Sequence, residues 1–257
     1  MHYQRTGLNS KKKTGVIAGS GKLNLDTVEL DETDLLRIDD EFGLPSHTPL
    51  KLKNSQSDCY LLFRHGRDHH LAPHKINYRA NVNSLKRLGV QEIIAINTVG
   101  GISSDAHSGS LVMPDQLIDY SWGREHTFSN TENLMHMGFD APYSESLRDD
   151  IHTIAAECGV FVFDGGVYGC TQGPRFETPA EITRMEKDGC TIVGMTGMPE
   201  ASLAKELGIN YASICLVVNP AAGRGEGIDF DEINTVSKIG MRKIERLLRL
   251  LLKITES

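Results

Sequence analysis

Short runs of branched aliphatic residues alternate along this chain with longer stretches whose apolar positions recur every three to four residues. The first pattern predicts strands at 14–18, 59–63, 92–96, 109–114, 116–120, 160–168, 191–195 and 211–219. The second predicts helices at 78–88, 145–158, 179–188, 200–207 and 231–254. This alternation predicts a three-layer α/β/α fold around a central twisted, mixed, mostly parallel sheet. In the last helix Ile233, Val236, Ile239, Met241, Ile244, Leu247, Leu248 and Leu251 share helical spacing and form a stripe suited to packing on that sheet. No repeat, low-complexity tract or linker divides the chain, so residues 1–257 read as a single domain, with 1–13 as a flexible extension.

Ligands of open α/β sheets lie beyond the carboxyl ends of the strands. The residues that fall there are Gly19, Ser20 and Gly21, then Arg64 and His65, Asn97 and Thr98, Thr196, and Asn219. Hydroxyls, an arginine, a histidine and glycine-rich backbone along one edge predict an anion site, and phosphate is the small anion that fits it.

Composition narrows the function classes. The 257 residues are 39% hydrophobic and 24% charged with a formal net charge of −7, values of a globular enzyme-sized chain. Disorder and collagen-like order are excluded. The acidity leaves no electrostatic footprint for duplex nucleic acid. No stretch approaches the roughly 20 apolar residues of a membrane span, and Lys11, Lys12 and Lys13 precede no secretory apolar run, so a cytoplasmic location is expected. Cys59, Cys158, Cys170, Cys190 and Cys215 contain no Cys-x-x-Cys pair and read as reduced, buried thiols.

Each motif carries a plain reading beside a chemical one. The turn Gly19-Ser20-Gly21 can cradle phosphate oxygens with its N–H groups, or simply turn; it lacks the features of a dinucleotide or P-loop motif. Arg64-His65-Gly66-Arg67-Asp68-His69-His70 with His74 is the densest cationic stretch. Its glycine and Pro73 disfavour a metal site, Arg64 and His65 suit phosphate, and Arg67, Asp68 and His69 suit a solvated surface. Asn97-Thr98-Val99-Gly100-Gly101 offers a hydroxyl and an apolar wall, or a tight turn. In Thr171-Gln172-Gly173-Pro174-Arg175-Phe176-Glu177-Thr178-Pro179, Thr178 and Pro179 are helix-start residues, while an aromatic beside a carboxylate suits a heterocycle. In Met195-Thr196-Gly197-Met198-Pro199-Glu200, Thr196 suits a ligand, Met195 either a ligand or the core, and Glu200 favourable charge at a helix N-terminus. Asn219-Pro220 reads as a turn or as a strand-end donor.

In combination and in this order, these segments resemble the trimeric purine nucleoside phosphorylase and methylthioadenosine phosphorylase family from Gly15 to the last helix. The resemblance also rests on Asn77-Tyr78-Arg79-Ala80-Asn81. It implies phosphorolysis of a purine nucleoside to free base and sugar 1-phosphate, with phosphate as co-substrate and with no metal or organic cofactor. It implies Ser20, Arg64, His65, Thr98 and Thr196 around phosphate, Phe176 stacked on the purine beside Val99, and Met195 against the ribose. It further implies a homotrimer, with His136 lent by a neighbouring subunit to the 5′ end of the nucleoside; a solvated loop histidine is the alternative. Asn219, with Arg64 and His65 as its catalytic companions, would donate to purine N7 as electrons collect there.

A 6-oxopurine N1 carries a hydrogen that Glu177 can accept, whereas adenine N1 is itself an acceptor, so Glu177 favours hypoxanthine or guanine. Asn219-Pro220-Ala221 also departs from the aspartates of adenine-specific members. Phe230 falls where 5′-hydroxyl enzymes of the family carry a histidine. Burying a methyl there is worth roughly 1 kcal/mol, while an unpaired buried hydroxyl costs about 1–3 kcal/mol. The expected substrate is therefore 5′-methylthioinosine. The alternatives are methylthioadenosine, inosine or guanosine as substrate, a non-catalytic nucleoside-binding protein, and a metallohydrolase built on the histidine cluster.

Overall fold

The runs richest in branched aliphatic residues become the buried middle of the sheet. The computed structural model describes residues 12–21, 23–31, 34–35, 41–130, 132–227 and 229–255, so most of the anticipated extension, residues 1–11, lies outside the described residues. The strands are β1 (Thr14–Ala18), β2 (Thr27–Val28), β3 (Leu50–Leu52), β4 (Cys59–Phe63), β5 (Glu92–Gly101), β6 (Leu111–Met113), β7 (Gln116–Asp119), β8 (Phe163–Asp164), β9 (Val167–Cys170), β10 (Ile192–Gly194) and β11 (Asn210–Pro220). The helices are α1 (Tyr78–Arg87), α2 (Glu145–Glu157), α3 (Pro179–Lys187), α4 (Glu200–Glu206) and α5 (Phe230–Leu251).

One mixed sheet runs β2-β3-β4-β1-β5-β10-β9-β7, and β11, β6 and β8 branch from β5. Parallel pairing sets Ala18 opposite Phe63 on one side and Ile96 on the other. The residues that follow these three positions therefore emerge side by side. Successive side chains of a strand point to opposite faces. Val16, Ile94, Ile96, Ile214 and Leu216 accordingly pack with α2 and α5, whereas Ile17, Ile93, Ala95, Cys215 and Val217 pack with α1 and α4. The three-layer α/β arrangement expected from the alternation is the one observed. Among the described residues no helix is long and apolar enough to cross a membrane. All five cysteines are free and buried.

Several boundaries differ for identifiable reasons. The expected strand 160–168 is interrupted after Asp164 by Gly165 and Gly166, whose φ values of 108° and 107° remove them from the extended region and divide the run into β8 and β9. The expected strand 92–96 continues through Asn97, Thr98 and the glycine pair to Gly101, held by parallel pairing to β11 and antiparallel pairing to β10. β2 and β3, of two and three residues, are too short for their periodicity to register. The stripe of α5 is buried only toward its C-terminal half, and Ile239 is 50% exposed.

Candidate functional site

The aligned strand ends border one cavity of about 430 Å³. Its lining includes Gly19 and Ser20 after β1, Arg64 and His65 after β4, Thr98 within β5 and Thr196 after β10. A side chain at Gly19 would meet the Ile96 carbonyl at 2.8 Å and Arg64 Nη1 at 2.9 Å, so only glycine lets the β1 turn approach this closely.

Arg64 is fully buried. Its Nε and Nη2 donate to Glu200 Oε2 and Oε1, both at 2.7 Å, and Nη1 donates to the Ile96 carbonyl at 3.0 Å. Burial opposes the charge of Arg64, but attraction and hydrogen bonding from Glu200 outweigh it and hold the guanidinium above its usual range. Glu200 also accepts from the Tyr211 hydroxyl at 2.8 Å. The expectation that Glu200 merely serves the helix N-terminus is corrected: it is fully buried and fixes the arginine from behind. The signal was a carboxylate inside the otherwise small and apolar start of α4.

Thr196 is held comparably. Its hydroxyl donates to Asn97 Oδ1 at 3.2 Å, and Asn97 Nδ2 donates to Ser213 Oγ at 2.7 Å.

His65 is 6% exposed, and its Nδ1 lies 2.8 Å from the Leu71 carbonyl. A carbonyl only accepts, so Nδ1 carries the hydrogen and Nε2 is free for a ligand. Burial, with help from the neighbouring Arg64 charge and against the Leu71 bond, lowers the ring from 6.5 to about 4, leaving it neutral at pH 7. Unfolded histidine binds its proton near 6.5, so between these values the unfolded chain holds the extra proton. The contribution of the neutral ring is therefore complete above pH 6.5 and is lost as pH falls toward 4. Denaturant unfolding at pH 7 and pH 5 should show a smaller loss of stability in His65→Gln than in the wild type; equal losses would refute a buried neutral ring.

His69, read as solvated surface, is exposed yet also lines the cavity, with its ring 4.3 Å from that of His65. Among the described residues no group of three or more His, Cys, Asp or Glu is placed to hold a metal ion.

β11 supplies a further part of the lining. Val217 pairs with Val99 and Asn219 with Gly100, so Val218 is an extra residue. Such a bulge re-aims the side chains that follow it. Val218 and Asn219 both line the cavity, and Asn219 donates one amide N–H to the Pro220 carbonyl at 2.7 Å. Phe176 and Glu177, from the β9–α3 loop, and Val99 and Met195 also line the cavity. The Thr171 hydroxyl donates to Glu177 Oε1 at 2.6 Å.

Sequence reasoning passed over Arg124, which lies between β7 and α2 in a stretch without periodicity. It donates to the carbonyls of Thr171, Gln172 and Met198 and stands over the Tyr78 ring. It ties the β9–α3 loop to α1.

Two expected residues stand apart from the cavity lining. Phe230 begins α5 and is 63% exposed, with its ring 6.3 Å from that of Phe176. His136 is exposed and does not line the cavity of its own chain.

The model of a family described as Phosphorylase superfamily matches residues 14–253, which include every strand bordering the cavity. The chain belongs to the phosphorylase superfamily. This superfamily member is 44% identical over 91% of its length to a Pseudomonas syringae protein named "Probable S-methyl-5'-thioinosine phosphorylase", of which 95% is covered. It is 39% identical over 93% of its length to a Korarchaeum cryptofilum protein named "Probable 6-oxopurine nucleoside phosphorylase", of which 90% is covered. It also superposes on methylthioadenosine phosphorylase from Schistosoma mansoni, solved with adenine, at a TM-score of 0.82 and 29% identity, covering 94% of this chain and 91% of that one.

Proposed function

We propose that the protein cleaves S-methyl-5′-thioinosine with inorganic phosphate, giving hypoxanthine and 5-methylthioribose 1-phosphate, a purine salvage reaction. The observation that carries this reading is that one cavity is lined both by Ser20, Arg64, His65, Thr98 and Thr196 and by Asn219, Glu177 and Phe176. The name of the Pseudomonas syringae relative supports it.

In this reading Ser20, Arg64, His65, Thr98 and Thr196 hold phosphate below C1′. The C1′–N9 bond breaks, its electron pair leaves with the purine, and a phosphate oxygen forms the new bond to C1′. Positive charge grows on the sugar as it does in other glycosidic cleavages, and the adjacent phosphate stabilises it. Asn219 has one amide hydrogen on Pro220 and a second for purine N7. Glu177 accepts from N1–H, Phe176 stacks on the base beside Val99, Met195 lies against the ribose, and Phe230 contributes an apolar neighbour for the 5′ group. His136 of a neighbouring subunit closes the 5′ end in a cytoplasmic homotrimer. Phosphate is the co-substrate, and no cofactor or metal takes part.

A second reading, a general 6-oxopurine nucleoside phosphorylase, is favoured by the position of Phe230 outside the cavity lining and by the name of the Korarchaeum relative. Base release from S-methyl-5′-thioinosine, methylthioadenosine, inosine and guanosine, with and without phosphate, separates the readings. The methylthio 6-oxopurine should dominate, only with phosphate, and turnover should survive a chelator. Preference for inosine would select the second reading, and preference for methylthioadenosine would defeat both.

A further inference from the structure

Directly behind Glu177, and outside the cavity that Glu177 borders, lies Thr171. It is buried at the end of β9, and both of its backbone polar groups are tied down. Its N–H donates to the Gly194 carbonyl at 2.8 Å, and its carbonyl accepts from Arg124 Nη2 at 3.1 Å. Its side chain therefore projects from a fixed backbone. The hydroxyl has one hydrogen and two acceptors in range, Glu177 Oε1 at 2.6 Å and the Gly194 carbonyl at 3.4 Å. The shorter, charge-assisted bond takes the hydrogen.

We propose that Thr171 is a specificity-determining positioning residue, whose hydroxyl fixes Glu177 as a hydrogen-bond acceptor and thereby biases the base site toward 6-oxopurines. This rests on the reading of the cavity as a purine nucleoside site.

The surroundings make Thr171 the natural source of this constraint. The neighbouring loop residues are tied to α3, with Arg175 donating to both Glu181 oxygens and Thr178 capping the helix. These contacts hold the loop backbone and leave the Glu177 side chain, with its three rotatable bonds, to be oriented separately. With Oε1 occupied by the hydroxyl, Oε2 remains for the base. A ring N–H satisfies it; a ring nitrogen lone pair, as at adenine N1, opposes it. An unmet or repelled polar group discriminates more sharply than shape alone.

The test compares kcat/KM for S-methyl-5′-thioinosine and methylthioadenosine in the wild type, Thr171→Val, which keeps shape without the hydroxyl, and Thr171→Ser, which restores the donor. Thr171→Val should lower the 6-oxopurine preference about tenfold, mainly through KM for the nucleoside, while KM for phosphate stays within about twofold. Thr171→Ser should recover the wild-type ratio, an outcome that a merely structural role would not produce. If Thr171→Val does not fold, Thr171→Ala carries the same comparison. A wild-type ratio in the hydroxyl-free variant, or a serine variant that behaves like valine, would overturn the role of Thr171. A wild type that does not cleave 6-oxopurine nucleosides in phosphate would instead overturn the reading beneath it, and the proposal with it.

Discussion

Glu200→Ala is expected to remove about 3–5 kcal/mol of unfolding free energy and to abolish phosphate-dependent turnover. Arg64 and Glu200 are both fully buried, and two of the three hydrogen bonds described for the guanidinium end on this carboxylate. Removing the carboxylate leaves a charge in the core with the Ile96 carbonyl as its remaining described partner, and it strands the Tyr211 hydroxyl as well. Leaving a buried charge uncompensated costs far more than the net worth of an intact pair. The double variant Arg64→Met/Glu200→Leu separates folding from function. Replacing a buried pair with apolar groups of similar volume is often nearly neutral, so stability should return in large part while activity does not. Urea unfolding and phosphorolysis assays on the three proteins check both arms. A loss below about 1 kcal/mol in Glu200→Ala would mean that the arginine is not held as the structure indicates.

The layer order and the placement of the cavity were legible in the chain because both follow from local patterns repeated along it. β1 and β4 have the bounds that their aliphatic runs predict, and α1 to α4 begin at the predicted residues and stop one residue short, where the C-cap takes over. β1, β4 and β5 run parallel and in register, so Ser20, Arg64 and Thr98 could be grouped from the ends of their aliphatic runs, whereas Thr196 reaches the same cavity after β10, which runs antiparallel to β5. What escaped depends on partners distant in sequence. Nothing near Glu200 reveals that Arg64, 136 positions earlier, will face it. Arg124 acts through three backbone carbonyls, which leave no mark in composition. The extension of β5 past Ile96 was hidden because Asn97, Thr98 and two glycines read as a break, while two neighbouring strands supply the pairing that overrides it.

Asn219→Asp is expected to lower the ratio of 6-oxopurine to 6-aminopurine turnover by about 100-fold or more, mainly through loss of the 6-oxopurine reaction. In the wild type the amide spends one hydrogen on Pro220, and in the proposed reaction the other goes to the departing base. An aspartate carboxylate has no hydrogen to offer, and it faces the Pro220 carbonyl as a second acceptor at 2.7 Å if the geometry is retained. Toward hypoxanthine it meets only acceptors, N7 and O6, just as electron density builds on the ring. Toward adenine it meets N7 but also an amino group that can donate to it, so part of the loss is recovered for that base alone. Acid should restore some turnover in the variant, because a protonated aspartate regains a donor. The pH profile of the Asn219→Asp enzyme should therefore rise toward low pH relative to the wild type, measured with both nucleosides at saturating phosphate. Retention of the wild-type base ratio would show that the side chain at 219 does not touch the base, and would break the link between the β11 bulge and substrate choice.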